Sequence, residues 1–130
     1  MAQYEKHFTV AEARQLLPRM RRLFQELHDQ RDALRIWAPR HQAARQSSDG
    51  NGGGTPGAVA YLEASGRFQQ ILREFASLGV QIKDIDSGLV DFPHIMNGEE
   101  VFLCWRLGED TVSFWHHLDS GVASRSLLPS

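Results

Sequence analysis

The spacing of apolar residues changes once along this chain, near Gly79, and this change limits the possible folds more than any other feature. Before Gly79, apolar residues recur at alternating steps of three and four, which is the period of an amphipathic helix. After Gly79 they recur at every second residue, which is the period of a strand with one buried face. Helices followed by strands are typical of the α+β class, so we expect helices on one face of an antiparallel sheet.

The first helix is predicted by a capping box and a heptad pattern. Thr9 is followed three residues later by Glu12, so each side chain can accept a backbone N–H at the start of the helix. Apolar residues at heptad spacing then predict one long helix over about residues 10–45. Pro18 lies two turns into it and should kink the helix or separate its first turns, because proline lacks an N–H and clashes with the preceding turn.

A glycine-rich segment, residues 47–57, separates this helix from a second one. The segment has the composition of a flexible linker, and it lacks the lysine that a phosphate-binding Walker loop requires. Thr55 and Pro56 suit the start of a second helix, which should run to about residue 78. The apolar stripes of the two helices predict a long antiparallel helical hairpin over about residues 9–78.

Turn signals divide the following chain, about residues 80–117, into a three- to four-stranded antiparallel β-meander. Asn97 and Gly98 give the strongest signal, because this dipeptide favours the type I′ turn of a two-residue hairpin. A second two-residue turn is predicted at Gly108 and Glu109. The remaining residues should form a C-terminal tail.

Two-residue turns would fix which side chains share a face of the sheet. The predicted pairing places His94 and His116 on either side of Val101, on an apolar face that the helices should cover. On the opposite face it places Phe102 directly across from Trp115. Two exposed aromatic side chains indicate a candidate partner surface, unless the tail folds over them.

The residues best suited to chemistry lie in the same part of the chain. Asp91, Glu109, His116, Asp119 and Arg125 form the candidate polar site. Three of them, His116, Asp119 and Asp91, carry groups that bind zinc, manganese or iron, but their spacing matches no known metal motif. The alternative for His116 is a partly buried imidazole that is hydrogen-bonded to a carboxylate or a carbonyl.

Composition excludes several classes of function. A length of 130 residues with 42% hydrophobic residues fits a single domain, residues 1–130, in which residues 118–130 are the tail. A net charge of -2 argues against a nucleic-acid partner and against an anionic membrane. Cys104 is the only cysteine, which fits a reducing compartment, and in mid-strand it should pack as a small apolar side chain. No stretch is apolar enough to span a membrane or to form a signal peptide, so we expect a cytoplasmic protein.

Several sequence pieces occur in this chain in a specific order and spacing. They are Phe8-Thr-Val-Ala-Glu-Ala13, the stretch 80–93 with its Gly-Leu-Val-Asp-Phe-Pro ending, Leu103-Cys-Trp-Arg-Leu-Gly-Glu109, and Phe114-Trp-His116 followed by Asp119, Gly121 and Arg125. In these pieces the chain resembles a small bacterial family, number 2203 in the series of domains of unknown function. The resemblance implies a stand-alone cytoplasmic bacterial protein, with no particular activity, substrate or cofactor. All members of the candidate polar site lie within these pieces, whereas His94 and His117 lie outside them.

Two functions remain open. The first is a non-enzymatic binding or assembly module that self-associates as a homodimer, through the helical hairpin and the Phe102–Trp115 surface, because long helices beside a small sheet leave apolar surface uncovered. The second is a small metal-assisted hydrolase that uses His116, Asp91 and Asp119 as metal ligands or acid–base groups, with Arg125 binding an anion. The sequence predicts no cofactor and identifies no small-molecule ligand.

Overall fold

A computed structural model describes residues 2–46 and 57–129, so the predicted flexible segment falls almost wholly outside the described ranges. Helices come first and strands follow, which confirms the α+β class. The helices are α1 (Val10–Gln15), α2 (Leu17–Gln46) and α3 (Ala58–Leu78), and the strands are β1 (Gln81–Asp84), β2 (Leu89–Met96), β3 (Glu99–Arg106), β4 (Phe114–His117) and β5 (Ser126–Leu127). The strands form one antiparallel sheet in chain order. Within the described ranges, no helix combines the length and the apolar character needed to cross a membrane.

The start of the first helix follows the sequence closely. The Thr9 hydroxyl accepts the N–H of Glu12 at 3.0 Å, and the Glu12 carboxylate accepts the N–H of Thr9 at 2.9 Å, which confirms the capping box. The predicted single helix is divided at Leu16, between α1 and α2. Pro18 therefore lies in the first turn of α2, where its missing N–H costs no helical hydrogen bond.

The long helix α2 and the following α3 form the predicted helical hairpin. Their apolar stripes meet at Phe24 and Phe75, whose ring centroids are 5.0 Å apart. The hairpin covers one face of the sheet, where the core includes Phe92, Leu103 and Trp105, all with no exposed surface. Burial of these large side chains is the main source of stability in such a two-layer fold.

The β2–β3 hairpin has the predicted register. Phe92 lies opposite Leu103, and His94 lies opposite Val101. Asn97 has a φ of 51° and Gly98 a φ of 79°, so both central residues of the turn adopt the left-handed conformation that a type I′ turn requires.

The predicted tight turn between β3 and β4 is wrong. Residues 107–113 connect the two strands, and the pairing is displaced by one residue from the predicted register. His116 lies opposite Phe102, and Trp115 lies opposite Leu103. A displacement of one residue moves every side chain of β4 to the other face of the sheet. Consequently Phe102 and Trp115 lie on opposite faces and do not form the predicted partner surface.

Side chains of the helices hold the β3–β4 connection away from a tight turn. Arg14 donates hydrogen bonds to the carbonyl of Val112 at 3.2 and 2.9 Å, and Arg21 donates one to the carbonyl of Asp110 at 3.2 Å. Val112 is itself fully buried in the core. The connection therefore follows the helix surface before the chain enters β4.

The tail contributes a fifth strand, so the sheet has five strands rather than three or four. Phe114 in β4 pairs with Leu127 in β5, and the N–H of Leu128 donates to the carbonyl of Ser113 at 2.9 Å. We call residues 118–128 the C-terminal strap. It passes over the face of the sheet that the helices leave uncovered.

Candidate functional site

A carboxylate and an imidazole meet on the strap side of the sheet. Asp91 in β2 and His116 in β4 are only 1% and 3% exposed. The Nε2 atom of His116 lies 3.0 Å from Oδ1 and 3.1 Å from Oδ2 of Asp91. Both strands pair with β3, which lies between them, so the observed register of β4 is what brings the two side chains together.

The contacts of the His116 ring determine where the Asp91–His116 pair carries its protons. The Nδ1 atom of His116 lies 2.8 Å from the carbonyl oxygen of His117, which can only accept, so Nδ1 carries a hydrogen. A contact between Nε2 and the Asp91 carboxyl then requires one further proton, held by either group. Burial raises the pKa of the Asp91 carboxyl, and the charge of His116 lowers it in part. The pair is therefore held together by one shared proton.

Cys104 adds a third ligand group to this pair. It lies in β3 directly opposite Asp91 and has no exposed surface. One ligand atom from each of Asp91, Cys104 and His116 lies within 4.8 Å of the other two. We call these three residues the buried triad. Burial, together with the negative charge of Asp91, raises the pKa of the Cys104 thiol to about 11.

The strap is attached beside the buried triad by Arg125. Its guanidinium donates to both oxygens of Glu109, and Nη1 also lies 3.9 Å from the Cys104 sulfur. The guanidinium carbon lies 3.9 Å from the centroid of the Phe114 ring. Glu109 in turn accepts the backbone N–H of Arg106 at 2.9 Å. A positive charge is thus held next to the thiol.

A cavity of about 170 Å³ lies between the sheet and the strap. Asp91 and His116 form part of its wall, so two of the three triad residues border it. Lys83 and strap residues 118 and 120–122 form other parts of the wall. The arrangement is a small, partly enclosed space beside buried polar groups, below the range of about 300–1,000 Å³ that is usual for ligand pockets.

The structure divides the candidate polar site into two contacts and one outlier. Asp91 is bonded to His116, and Glu109 is bonded to Arg125, while Cys104 lies between the two pairs. Asp119 is exposed on the strap and belongs to neither pair. The environment of His116 matches the alternative interpretation, an imidazole bonded to a carboxylate and a carbonyl.

Phe102 and Trp115, the predicted partner surface, both pack within the fold instead. Phe102 is 2% exposed and contacts the ring of Tyr4, with centroids 5.4 Å apart. Trp115 packs against the core on the helix side.

Sequence reasoning missed Cys104 and Lys83 as site residues. The correct β2–β3 register already placed Cys104 opposite Asp91, so that signal was available.

The fold and the buried triad together define a class of α+β protein with a polar site between its sheet and a C-terminal strap. The chain belongs to the family described as Uncharacterized conserved protein (DUF2203), whose sequence model matches residues 6–128. This match confirms the resemblance seen in the sequence. No curated protein and no solved structure matches the chain.

Proposed function

We propose that this protein binds a divalent transition-metal ion through Asp91, Cys104 and His116, and uses it in a metal-assisted hydrolysis. The observation that carries the proposal is the buried triad itself, in which three ligand atoms of three different types lie within 4.8 Å of one another. Nitrogen, oxygen and sulfur ligands together suit zinc best among the common divalent ions.

The spacing of the triad suits an ion of this kind. Zinc lies about 2.0–2.3 Å from such ligands, so tetrahedral ligand atoms are roughly 3.3–3.7 Å apart. The Asp91 and His116 atoms are now 3.0 Å apart, because they share a proton. Replacing that proton with a metal ion requires these two atoms to separate by only a few tenths of an ångström, with the sulfur moving toward them.

Neighbouring groups support the ligands. The His117 carbonyl holds the Nδ1 hydrogen of His116, which leaves Nε2 free to coordinate, as in many metal sites. The guanidinium of Arg125 lies beside the Cys104 sulfur and favours its thiolate form. Because the metal-free thiol has a pKa of about 11, binding must release its proton, and affinity should rise with pH.

The cavity supports a catalytic ion over a purely structural one. Catalytic zinc sites have three protein ligands and keep one position for water, whose pKa falls to about 7. Two of the proposed ligands, Asp91 and His116, border the cavity, so the fourth position would face it. The strap would limit the access of bulk water to that position.

The first experiment is elemental analysis of protein that is purified without a metal-affinity tag, incubated separately with zinc, cobalt or manganese, and then dialysed against metal-free buffer. We expect stoichiometric zinc in the parent and a large loss in Cys104→Ser, which preserves the size of the side chain. His117→Asn is the matched control, because His117 is adjacent to a proposed ligand but lies on the other face and is half exposed. Circular dichroism checks that each variant is folded. A folded parent that retains no zinc, cobalt or manganese contradicts the proposal.

Hydrolysis is tested separately, on protein whose metal content is known. We expect zinc-loaded protein to cleave a small activated ester faster than metal-free protein, and Cys104→Ser to lose the difference. Stoichiometric metal without any such difference would contradict the hydrolytic role but not the metal site.

As a second function, we propose that two copies of the chain associate through the outer face of α3. Val59 and Leu62 are both 62% exposed there. Gly66 follows at heptad spacing, and a side chain at this position would meet no atom within 4 Å, so another helix could approach closely. These residues form an apolar stripe that nothing within the described part of the chain covers.

Light scattering over a range of protein concentrations tests this association. We expect a homodimer for the parent and a monomer for Leu62→Glu. The control is Ile36→Glu, which changes an apolar residue of α2 that is 56% exposed. A parent that stays monomeric at high micromolar concentration contradicts the proposal.

A further inference from the structure

We propose that the cavity under the strap binds a short-chain carboxylate, with Lys83 as its cationic partner. The inference goes beyond the metal proposal, because it does not depend on whether the buried triad holds a proton or a metal ion.

Lys83 is placed at the cavity by an irregularity in β1. The pairing of β1 with β2 moves from Ile82–Val90 directly to Asp84–Leu89, so Lys83 lies at a bulge. Bulges redirect a side chain and are common next to active sites. The Lys83 ammonium lies 4.7 Å from the centroid of the Phe102 ring, which forms part of the cavity wall.

The ammonium of Lys83 has no ionic partner in the described ranges. The chain's other lysine, Lys6, pairs with Glu12 at 3.6 Å, whereas no carboxylate lies within ion-pair distance of Lys83. The neighbouring carboxylate, Asp84, accepts a hydrogen bond from the Ser87 N–H at 2.8 Å and does not line the cavity. Lys83 is therefore available to a ligand.

Lys83 is the only lysine or arginine among the described residues that line the cavity. Asp91 is the only carboxylate among them, and it is bonded to His116. A single anionic group in the cavity would therefore complement the Lys83 ammonium.

The volume of the cavity and the residues of its wall limit the size and polarity of the ligand. A cavity of about 170 Å³ has room for several groups of the size of a water molecule but not for a large ligand. Four apolar side chains form much of the wall: Leu89, Phe102, Leu118 and Val122. Such walls favour a ligand with carbon atoms over a fully hydrated anion such as phosphate. A carboxylate with about two to four carbons satisfies these limits.

Titration calorimetry with butyrate, on both metal-free and zinc-loaded protein, tests the proposal. We expect binding in both forms, and about tenfold weaker binding in Lys83→Met, the loss expected from one charge-assisted hydrogen bond. Lys83→Arg should retain most of the affinity. Lys6→Met is the matched control, because Lys6 also lies over an aromatic ring, at 4.9 Å from the centroid of Phe8. The Lys83 side chain is exposed, so its variants should melt like the parent.

Three results would overturn the proposal: no butyrate binding to the metal-free protein or, where zinc binds, to the zinc-loaded protein; equal weakening by Lys6→Met and Lys83→Met; or phosphate binding as tight as that of butyrate. These results are separable from failure of the metal proposal. A protein that binds no metal but binds butyrate through Lys83 supports the anion site alone, and metal-loaded protein that binds no butyrate overturns only the anion site.

Discussion

Arg125 donates one hydrogen bond to each carboxylate oxygen of Glu109, at 3.2 and 2.6 Å. The side chains are only 17% and 23% exposed, so water competes weakly for this contact. Glu109 belongs to the β3–β4 connection and Arg125 to the strap. The pair therefore joins two segments that border the polar site, and it requires the planar fork that only arginine provides.

Replacing Arg125 with lysine should destabilise the protein, because lysine preserves the charge but cannot bond both oxygens of Glu109. We expect a loss of about 1–2 kcal/mol in the free energy of unfolding, measured by urea denaturation. Arg35→Lys is the control, since Arg35 is 63% exposed and should change stability little. Equal stability of Arg125→Lys and the parent would show that the fork does not hold the strap.

Alanine at Gly88 should be more harmful than alanine at Gly98. Both glycines have a left-handed backbone, with φ of 69° and 79°, so both substitutions introduce similar backbone strain. A Cβ atom at Gly88 would also lie 2.6 Å from the Cβ of Leu107, whereas one at Gly98 would meet nothing within 4 Å. We expect Gly88→Ala to be less stable than Gly98→Ala by about 1–3 kcal/mol, measured by thermal unfolding. Equal melting temperatures would mean that the connection at Leu107 moves freely.

The Cys104 thiol should be unreactive in the native, metal-free protein. Its pKa of about 11 means that little thiolate is present near neutral pH, and the side chain is fully buried. At about pH 8, a thiol-specific disulfide reagent should react with Cys104 only as fast as the protein opens, and rapidly in denaturant. Rapid reaction of the folded protein would contradict the burial of this site.

Protonation of the Glu100 carboxylate should make the folded protein less stable in acid. Its carboxylate accepts the N–H groups of Gln3 and Tyr4, and Nε2 of His7 lies 2.7 Å away. These contacts, first the Gln3 bond and then the His7 bond, lower the pKa of Glu100 below its ordinary value of 4.5. The stabilisation that ionised Glu100 gives to the folded protein is therefore complete above pH 4.5. It is lost as the pH falls through the lower pKa that Glu100 has in the folded state.

Thermal unfolding of Glu100→Gln between neutral and acidic pH tests this linkage. We expect a difference from the parent at neutral pH that disappears below the folded-state pKa of Glu100. Glu5→Gln is the control, because Glu5 is an exposed residue of the same N-terminal segment. A difference that is constant with pH would show that Glu100 acts by packing and not by its charge.

Local signals predicted the parts of the fold that local interactions determine. Thr9 and Glu12 bond to each other's backbone, so two residues suffice to define the helix start. Asn97 and Gly98 adopt the backbone that their type favours, so the β2–β3 register follows from two residues. That register also placed Asp91 opposite Cys104, which is two-thirds of the buried triad.

Distant interactions determine the parts that the sequence did not reveal. Arg14 and Arg21 bind carbonyls of the β3–β4 connection that lie 98 and 89 residues away along the chain, and no local pattern records such contacts. The sequence therefore suggested a two-residue turn and assigned His116 to the wrong face. The pairing of β5 with β4 depends in the same way on where the strap returns to the sheet.

The β3–β4 connection also has a consequence for relatives of this protein. Two histidines are adjacent in β4, and the pairing register decides which one enters the site: here His116 lies opposite Phe102 and His117 lies opposite Val101. If a one-residue deletion in the loop shifted β4 by one position, His117 would lie opposite Phe102 and His116 would move to the helix face, whereas a shift by two would place Leu118 there and leave that position without an imidazole. In a homologue with such a one-residue shift, the imidazole of the site would thus be the one that an alignment places at His117.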